Sequence, residues 1–198
     1  REIDPAVLGI WDYELARYGS RIIRRREEFI KRISEISSDI HDRISGGLEN
    51  LTIHYEANVA YSGPDSTEAE FYKILEHSRD DDIRNRTTGH GPHKDDLKIE
   101  ANNIDLRKFG SQGQQRTAAL SLKLSEIRLI EAETGEKPIL LLDDVLSELD
   151  NERQSYLISS LGENQMFITT ADISGKVIRS MPEGKVFQIQ KGTIESEI

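Results

Sequence analysis

The chain contains no cysteine in its 198 residues. Disulfides, thiolate zinc sites and cysteine nucleophiles are therefore excluded, and the chemistry fits a reducing compartment. No uninterrupted apolar run reaches the ~18 residues that mark a membrane-spanning helix, and no basic-then-apolar leader opens the chain. Positive charge is in deficit, with 26 Lys and Arg against 36 Asp and Glu and a net charge of −10. This balance argues against a surface coated in basic residues, while leaving room for a local basic patch. Internal repeats and low-complexity segments are missing too. The first residue is Arg1 rather than Met, so the sequence reads as a fragment, a processed product or a renumbered chain. The rest is ordinary globular composition, 36% hydrophobic and 31% charged, long enough for one domain or one domain with an appendage.

The first half reads as helical. Leu8, Trp11, Leu15, Tyr18, Ile22, Phe29, Ile33, Ile36 and Ile40 recur at heptad-like steps, predicting one long helix or two end to end, with this seam against a partner surface. Gly19 inside the pattern suggests a kink, and Gly46-Gly47 ends it. Arg25 and Arg26 interrupt the seam. They belong to the densest basic segment, where residues 21–32 carry six Lys or Arg against two Glu. Such a run is either a solvated helix face or a stripe contacting nucleic-acid phosphates through Arg21, Arg24 and Arg25. A strand of alternating residues follows from Leu51 to Val59, with His54 on its polar face. Ser66 or Thr67 can cap a helix running to about Arg86, with Phe71, Ile74, Leu75 and Ile83 inward. The break at 87–92 is read as a boundary between a helical domain, 1–90, and an α/β domain, 91–198.

The second half alternates strands and helices. Leu97, Ile99 and Ala101 form a strand, Asn102-Asn103 a turn, and Ile104 and Leu106 the return. A glycine-containing loop at 109–113 leads into a long helix through roughly Glu133. Ile139 to Leu142 is the apolar run of a strand buried on both faces. A helix at about 151–161, a strand at Met166–Thr169, a further helix and a final strand near Val186–Ile189 complete the expected order.

Chemistry concentrates at two places. Leu142 is followed by Asp143 and Asp144, which puts carboxylates at the carboxyl end of a central parallel strand, where open α/β sheets bind ligands. An acid there can hold Mg²⁺ beside phosphates, and the next can polarise an attacking water. The alternative is a turn whose acids cap the next helix. Ser111-Gln112-Gly113-Gln114-Gln115-Arg116-Thr117 is a small, glycine-bearing turn opening a helix, and it can present N–H groups to an anion. The alternative there is an ordinary helix cap.

Together with Ser147-Glu148-Leu149-Asp150, these motifs resemble the signature motif, Walker B and D-loop of ATP-binding-cassette-type ATPases of the SMC group. With Gly91-Pro92-His93-Lys94-Asp95-Asp96, the Asp-Asp pair and Gln165 to Thr170, the chain is most similar to the RecF family of bacterial recombination mediators. That resemblance implies an α/β ABC/SMC-type ATPase lobe at 91–198 and a mainly helical arm at 1–90. It also implies ATP and Mg²⁺ as cofactors. Asp143 would hold the metal and Asp144 would be the catalytic base. Ser111, Gln112, Gly113 and Gln114 would contact nucleotide bound to another subunit. Ser147 and Asp150 would lie at the dimer seam, and Thr169 or Thr170 would stand where many relatives carry a switch histidine. The implied role is an ATP-dependent homodimer that binds double-stranded DNA and single-strand gap junctions. Its partner would be RecR, and it would serve recombinational repair, replication and the SOS response in the nucleoid-containing cytoplasm, with no membrane attachment. The intact protein would be a weak ATPase. No G-x-x-x-x-G-K-[ST] P-loop is present. In the family that lobe precedes the arm, so a longer protein is expected, and the chain alone is expected to be inactive. An SMC-like chromosome-organising ATPase is the alternative, disfavoured because some 90 arm residues cannot make a long coiled coil.

Overall fold

The computed structural model describes residues 5–171 and 184–197. The chain divides into two compact units, Arg1–Leu129 and Ile130–Ile198.

The first unit is built on one helix. Helix α1, Pro5–Ser45, runs unbroken for 41 residues. The chain then forms β1, Leu51–Glu56, and α2, Thr67–Asn85. A short 3-10 turn at Pro92–Lys94 leads to β2, Asp96–Ala101. Strand β3, Ile104–Asp105, and α3, Leu106–Phe109, precede α4, Gln112–Thr134. Strand β1 pairs antiparallel with β2 along its whole length, from Leu51 opposite Ala101 to Glu56 opposite Asp96. Strand β3 pairs with β2 through the Asn102-Asn103 turn, where both residues take positive φ. Leu106 does not continue the return strand. Asp105 caps α3 by accepting from the Arg107 and Lys108 amides, so the chain coils at once.

The sheet joins residues on both sides of position 90, so the 87–92 break is a turn inside this unit. The compact units separate within α4 rather than at residue 90. Two apolar clusters hold the unit together. Ile33, Leu51, Ile53, Ala101, Leu106, Ala118 and Leu129 make one. Ala16, Ile23, Val59, Phe71 and Leu75 make the other.

Helix α1 buries its heptad seam only toward its C-terminal end, at Ile33 and Ile40. Trp11, Leu15, Tyr18, Ile22 and Phe29 are exposed, while Ala16, Ser20, Ile23, Ile33, Ser37, Ile40 and His41 are buried. Small residues let α2 approach closely. A Cβ at Gly19 would lie 2.5 Å from Phe71 Cε1 and 3.4 Å from Pro92 Cδ. Gly19 therefore marks a close approach, not a helix break. Ile83 is also exposed rather than inward. Strand β1 stops at Glu56, because the Asn58 amide donates to Asp95 Oδ1 at 2.9 Å instead of to a neighbouring strand.

The second unit contains β4, Leu140–Asp143, α5, Asn151–Leu161, and β5, Met166–Thr169. Strands β4 and β5 are parallel, in register from Leu140 with Met166 to Asp143 with Thr169. One face of this pair carries buried Leu140; on the other, Leu141 is 77% exposed and its register partner Phe167 is 56% exposed. The expectation of a strand buried on both faces fails for this chain, since no described element covers Leu141. The further helix expected after β5 lies outside the described residues. Strand β6, Phe187–Gln190, turns back into β7, Thr193–Glu197. Their two-residue turn, Lys191-Gly192, has both φ angles positive, the geometry that suits a tight hairpin. Among the described residues, no helix is long and apolar enough to cross a membrane.

Candidate functional site

In the second unit the paired acids stand at the carboxyl ends of two parallel strands. Asp143 is the last residue of β4, and Thr169, its register partner, is the last of β5. Thr169 Oγ1 donates to Asp143 Oδ1. Asp144 leaves the strand with φ of 51°, and its amide donates to Thr169 O at 3.0 Å. Both acids are exposed. Among the described residues no group of three acids or histidines forms a cage for a metal. One strand-end carboxylate still suits Mg²⁺, which is usually held by one or two carboxylates together with water and substrate phosphates.

The turn after the acids is fixed by its own polar groups. Ser147 Oγ donates to Asp144 O at 2.9 Å. Gln154 Nε2 donates to Leu146 O at 2.7 Å and Leu149 O at 3.0 Å. Asp150 caps α5, accepting from the Arg153 amide at 3.0 Å, and it pairs with the Arg153 guanidinium. The Arg153 amide first, then its guanidinium, hold the Asp150 carboxyl below the usual range. The capping role weighed for Asp143 and Asp144 falls instead to Asp150, since Asp144 makes no side-chain cap bond to the turn that follows it. Thr170 is half-buried just past β5.

The Ser111 turn lies in the first unit, at the start of α4. Ser111 Oγ accepts from the Gln114 amide at 3.2 Å, and the Ser111 amide donates to Gln114 Oε1 at 2.9 Å. This reciprocal arrangement is a capping box. Ser111, Gln112 and Gly113 are exposed, while Gln114 is half-buried. Gln115 Nε2 donates to Leu106 O at 2.8 Å, tying the incoming loop to the helix. Sequence pattern alone gives no sign of the support behind this turn. Gln114 Nε2 donates to Glu49 Oε1 at 2.7 Å, and Glu49 Oε2 lies 3.0 Å from His41 Nε2.

The arginines of α1 separate into two kinds. Arg21 stacks at 5.7 Å from the centroid of the exposed Tyr18 ring, and Arg25 lies 3.9 Å from Glu28 in solvent. Arg24 is half-buried. Arg26 instead reaches Asp95 Oδ2 at 2.9 Å, and the Asp95 side chain is only 3% exposed. Tyr55 donates to the same carboxylate. Burial first, and then the Asp95 acceptor, push the Tyr55 hydroxyl above its ordinary pKa. Arg26 therefore interrupts the seam for a structural reason.

No family model matches the chain. It is 47% identical over 190 residues to the DNA replication and repair protein RecF of Lachnospira eligens, covering 96% of this chain and 50% of that protein. The RecF of Clostridioides difficile is 45% identical over 197 residues, covering 98% of the chain and 53% of the relative. That of Lactococcus lactis subsp. lactis is 46% identical over 198 residues, covering 99% and 52%. Among solved structures, a recombination mediator protein RecF with ATPrS, of the RecFOR pathway, superposes with a TM-score of 0.84 at 37% identity. It is matched over 98% of this chain and 51% of its own. The corresponding RecF-ATP structure gives 0.82 at 36% identity, over 100% and 52%. The mixed α/β architecture read from the sequence is thus that of RecF. The chain spans about half the length of the curated relatives it matches, and over that span it is similar to RecF.

Proposed function

We propose that this chain supplies two working parts of an ATP-dependent, DNA-binding recombination mediator. These are the acids that hold Mg²⁺ and activate water, and the Ser111 turn that meets nucleotide held by a second copy. Two whole proteins would enclose nucleotide between them. Closure would present a DNA-binding surface for duplex and gapped or single-strand–double-strand junction DNA, with RecR as protein partner, in recombinational repair and replication restart.

One observation carries this reading. Asp143 and Asp144 stand at the carboxyl end of a parallel strand pair, tied to Thr169, in a chain similar to a solved RecF-ATP structure. Asp143 has one oxygen engaged by Thr169 Oγ1 and is exposed to solvent, so it would hold Mg²⁺. The ion would neutralise charge on the nucleotide phosphates when bound. Asp144 would take the proton of the attacking water. The Ser111 turn would bring the exposed amide end of α4, with its dipole, to the terminal phosphate across the dimer. Ser147 and Asp150 would line the seam. The SMC-like alternative is disfavoured because α1 is 41 residues long and returns directly to the sheet.

The test is Asp144→Asn in the full-length protein. The amide keeps the shape and loses the basic oxygen. ATP binding should persist, turnover should vanish, and ATP-dependent dimers should last longer on gel filtration. Unchanged turnover would place the base elsewhere.

A further inference from the structure

We infer that Glu49 and His41 are positioning residues for the Ser111 turn; this rests on the proposed nucleotide role of that turn. A continuous polar chain runs from the interior of α1 to Ser111. His41 is fully buried, with Nδ1 at 3.1 Å from Ser121 Oγ. The Ser121 hydroxyl gives its hydrogen to Thr117 O at 2.8 Å, so His41 Nδ1 is the donor at that contact. His41 Nε2 lies 3.0 Å from Glu49 Oε2. The other Glu49 oxygen accepts from Gln114 Nε2 at 2.7 Å. Gln114 Oε1 accepts from the Ser111 amide, closing the capping box.

The chemistry of Gln114 explains why this matters for function as well as for folding. A capping glutamine on a helix surface has several rotamers, and only one returns its oxygen to the Ser111 amide. Glu49 fixes that rotamer by holding the amide nitrogen. Glu49 lies on the connection between α1 and β1, and both of its oxygens are used, one toward α1 and one toward α4. A single carboxylate thus pins the turn that must meet a phosphate to the long helix that carries the arginine stripe. Reactive and binding groups lose performance with sub-ångström misplacement, so a pre-set turn is a functional asset.

The experiment uses the full-length protein and compares Glu49→Ala with Glu49→Gln. The Gln variant can still accept from Gln114 through its oxygen and keeps the side-chain length that fills the space beside His41. The Ala variant can do neither. Loss of one such part-buried hydrogen bond should raise the dissociation constant of the ATP-driven dimer about threefold to tenfold. Glu49→Gln should restore it to near the parent value. Affinity of the monomer for ATP should not move in either variant. Amide hydrogen exchange at Ser111 should quicken in Glu49→Ala and not in Glu49→Gln. If Glu49→Ala fails to fold, Glu49→Asp, one methylene too short to bridge both partners, takes its place with the same expectation. Ser111→Arg serves as the reference, since a bulky side chain there should block closure outright. Parent-like dimerisation in Glu49→Ala, with Ser111→Arg unable to dimerise, would overturn this inference alone. Normal dimerisation in Ser111→Arg would overturn both the inference and the reading of the turn on which it rests.

Discussion

Asp143 and Thr169 face each other as register partners on adjacent parallel strands, and the threonine hydroxyl donates to the aspartate carboxylate. Of Thr169 and Thr170, the two candidates for the position where the resemblance implies a switch histidine in many relatives, Thr169 is thus the one bonded to the proposed metal-holding acid. Thr169→Val preserves shape and removes the donor. In the full-length protein the Mg²⁺ concentration giving half-maximal ATP turnover should rise about tenfold, the usual cost of losing an outer-shell hydrogen bond. Thr169→Ser should recover most of it. A magnesium titration of phosphate release checks both, and an unchanged midpoint in Thr169→Val would remove the orienting role.

The arginine stripe can be tested apart from the ion pair that the structure assigns to Arg26. Changing Arg21, Arg24 and Arg25 together to Ala leaves Arg26 on Asp95, so the fold should hold. DNA affinity of the full-length protein should fall, and its salt slope should drop by up to about three units, near one per lost phosphate contact. ATP binding should be retained. An unchanged slope with unchanged affinity would leave these arginines as a solvated helix face.

Helix propensity alone favours alanine over glycine in a helix interior by about 1 kcal/mol. At Gly19 the structure reverses that sign. The added methyl would meet Phe71 Cε1 at 2.5 Å, and Phe71 is fully buried. Gly19→Ala should therefore destabilise the full-length protein by roughly 1–3 kcal/mol, the range for overpacking a filled core. Thermal or urea unfolding measures it, and a stabilised variant would show that α1 and α2 pack less closely.

Much of this is legible in the sequence. The acids stand out because four apolar residues before two carboxylates describe a strand that ends at solvent, and β4 ends at Asp143. Helix limits are readable because Gly46-Gly47 and Gly135, all at positive φ, stop α1 and α4. The buried face of α1 is legible at Ile33 and Ile40 but not in the N-terminal half of the helix. A search for large apolar residues finds Trp11 and Leu15, whereas close packing selects Ala16, Gly19 and Ser20. The support behind the Ser111 turn is hidden for a different reason. Glu49 and Gln114 are 65 positions apart, and neither residue type signals a partner until the chain is folded. Strand β7 escapes a pattern search although Lys191-Gly192 is a recognisable tight-turn pair, because its own residues carry little apolar alternation.

In the proposed assembly the Ser111 turn of one copy completes the nucleotide site at Asp143 and Asp144 of another. It is tested most directly by mixing two full-length variants, Ser111→Ala and Asp144→Asn, each nearly inactive alone. In a mixed dimer one site combines the intact acid of the first variant with the intact turn of the second. Half of the dimers are mixed and each has one complete site, so turnover should recover to about a quarter of the parent rate in a symmetric two-site assembly. A mixture as inactive as its components, with both variants still binding ATP and dimerising, would contradict it.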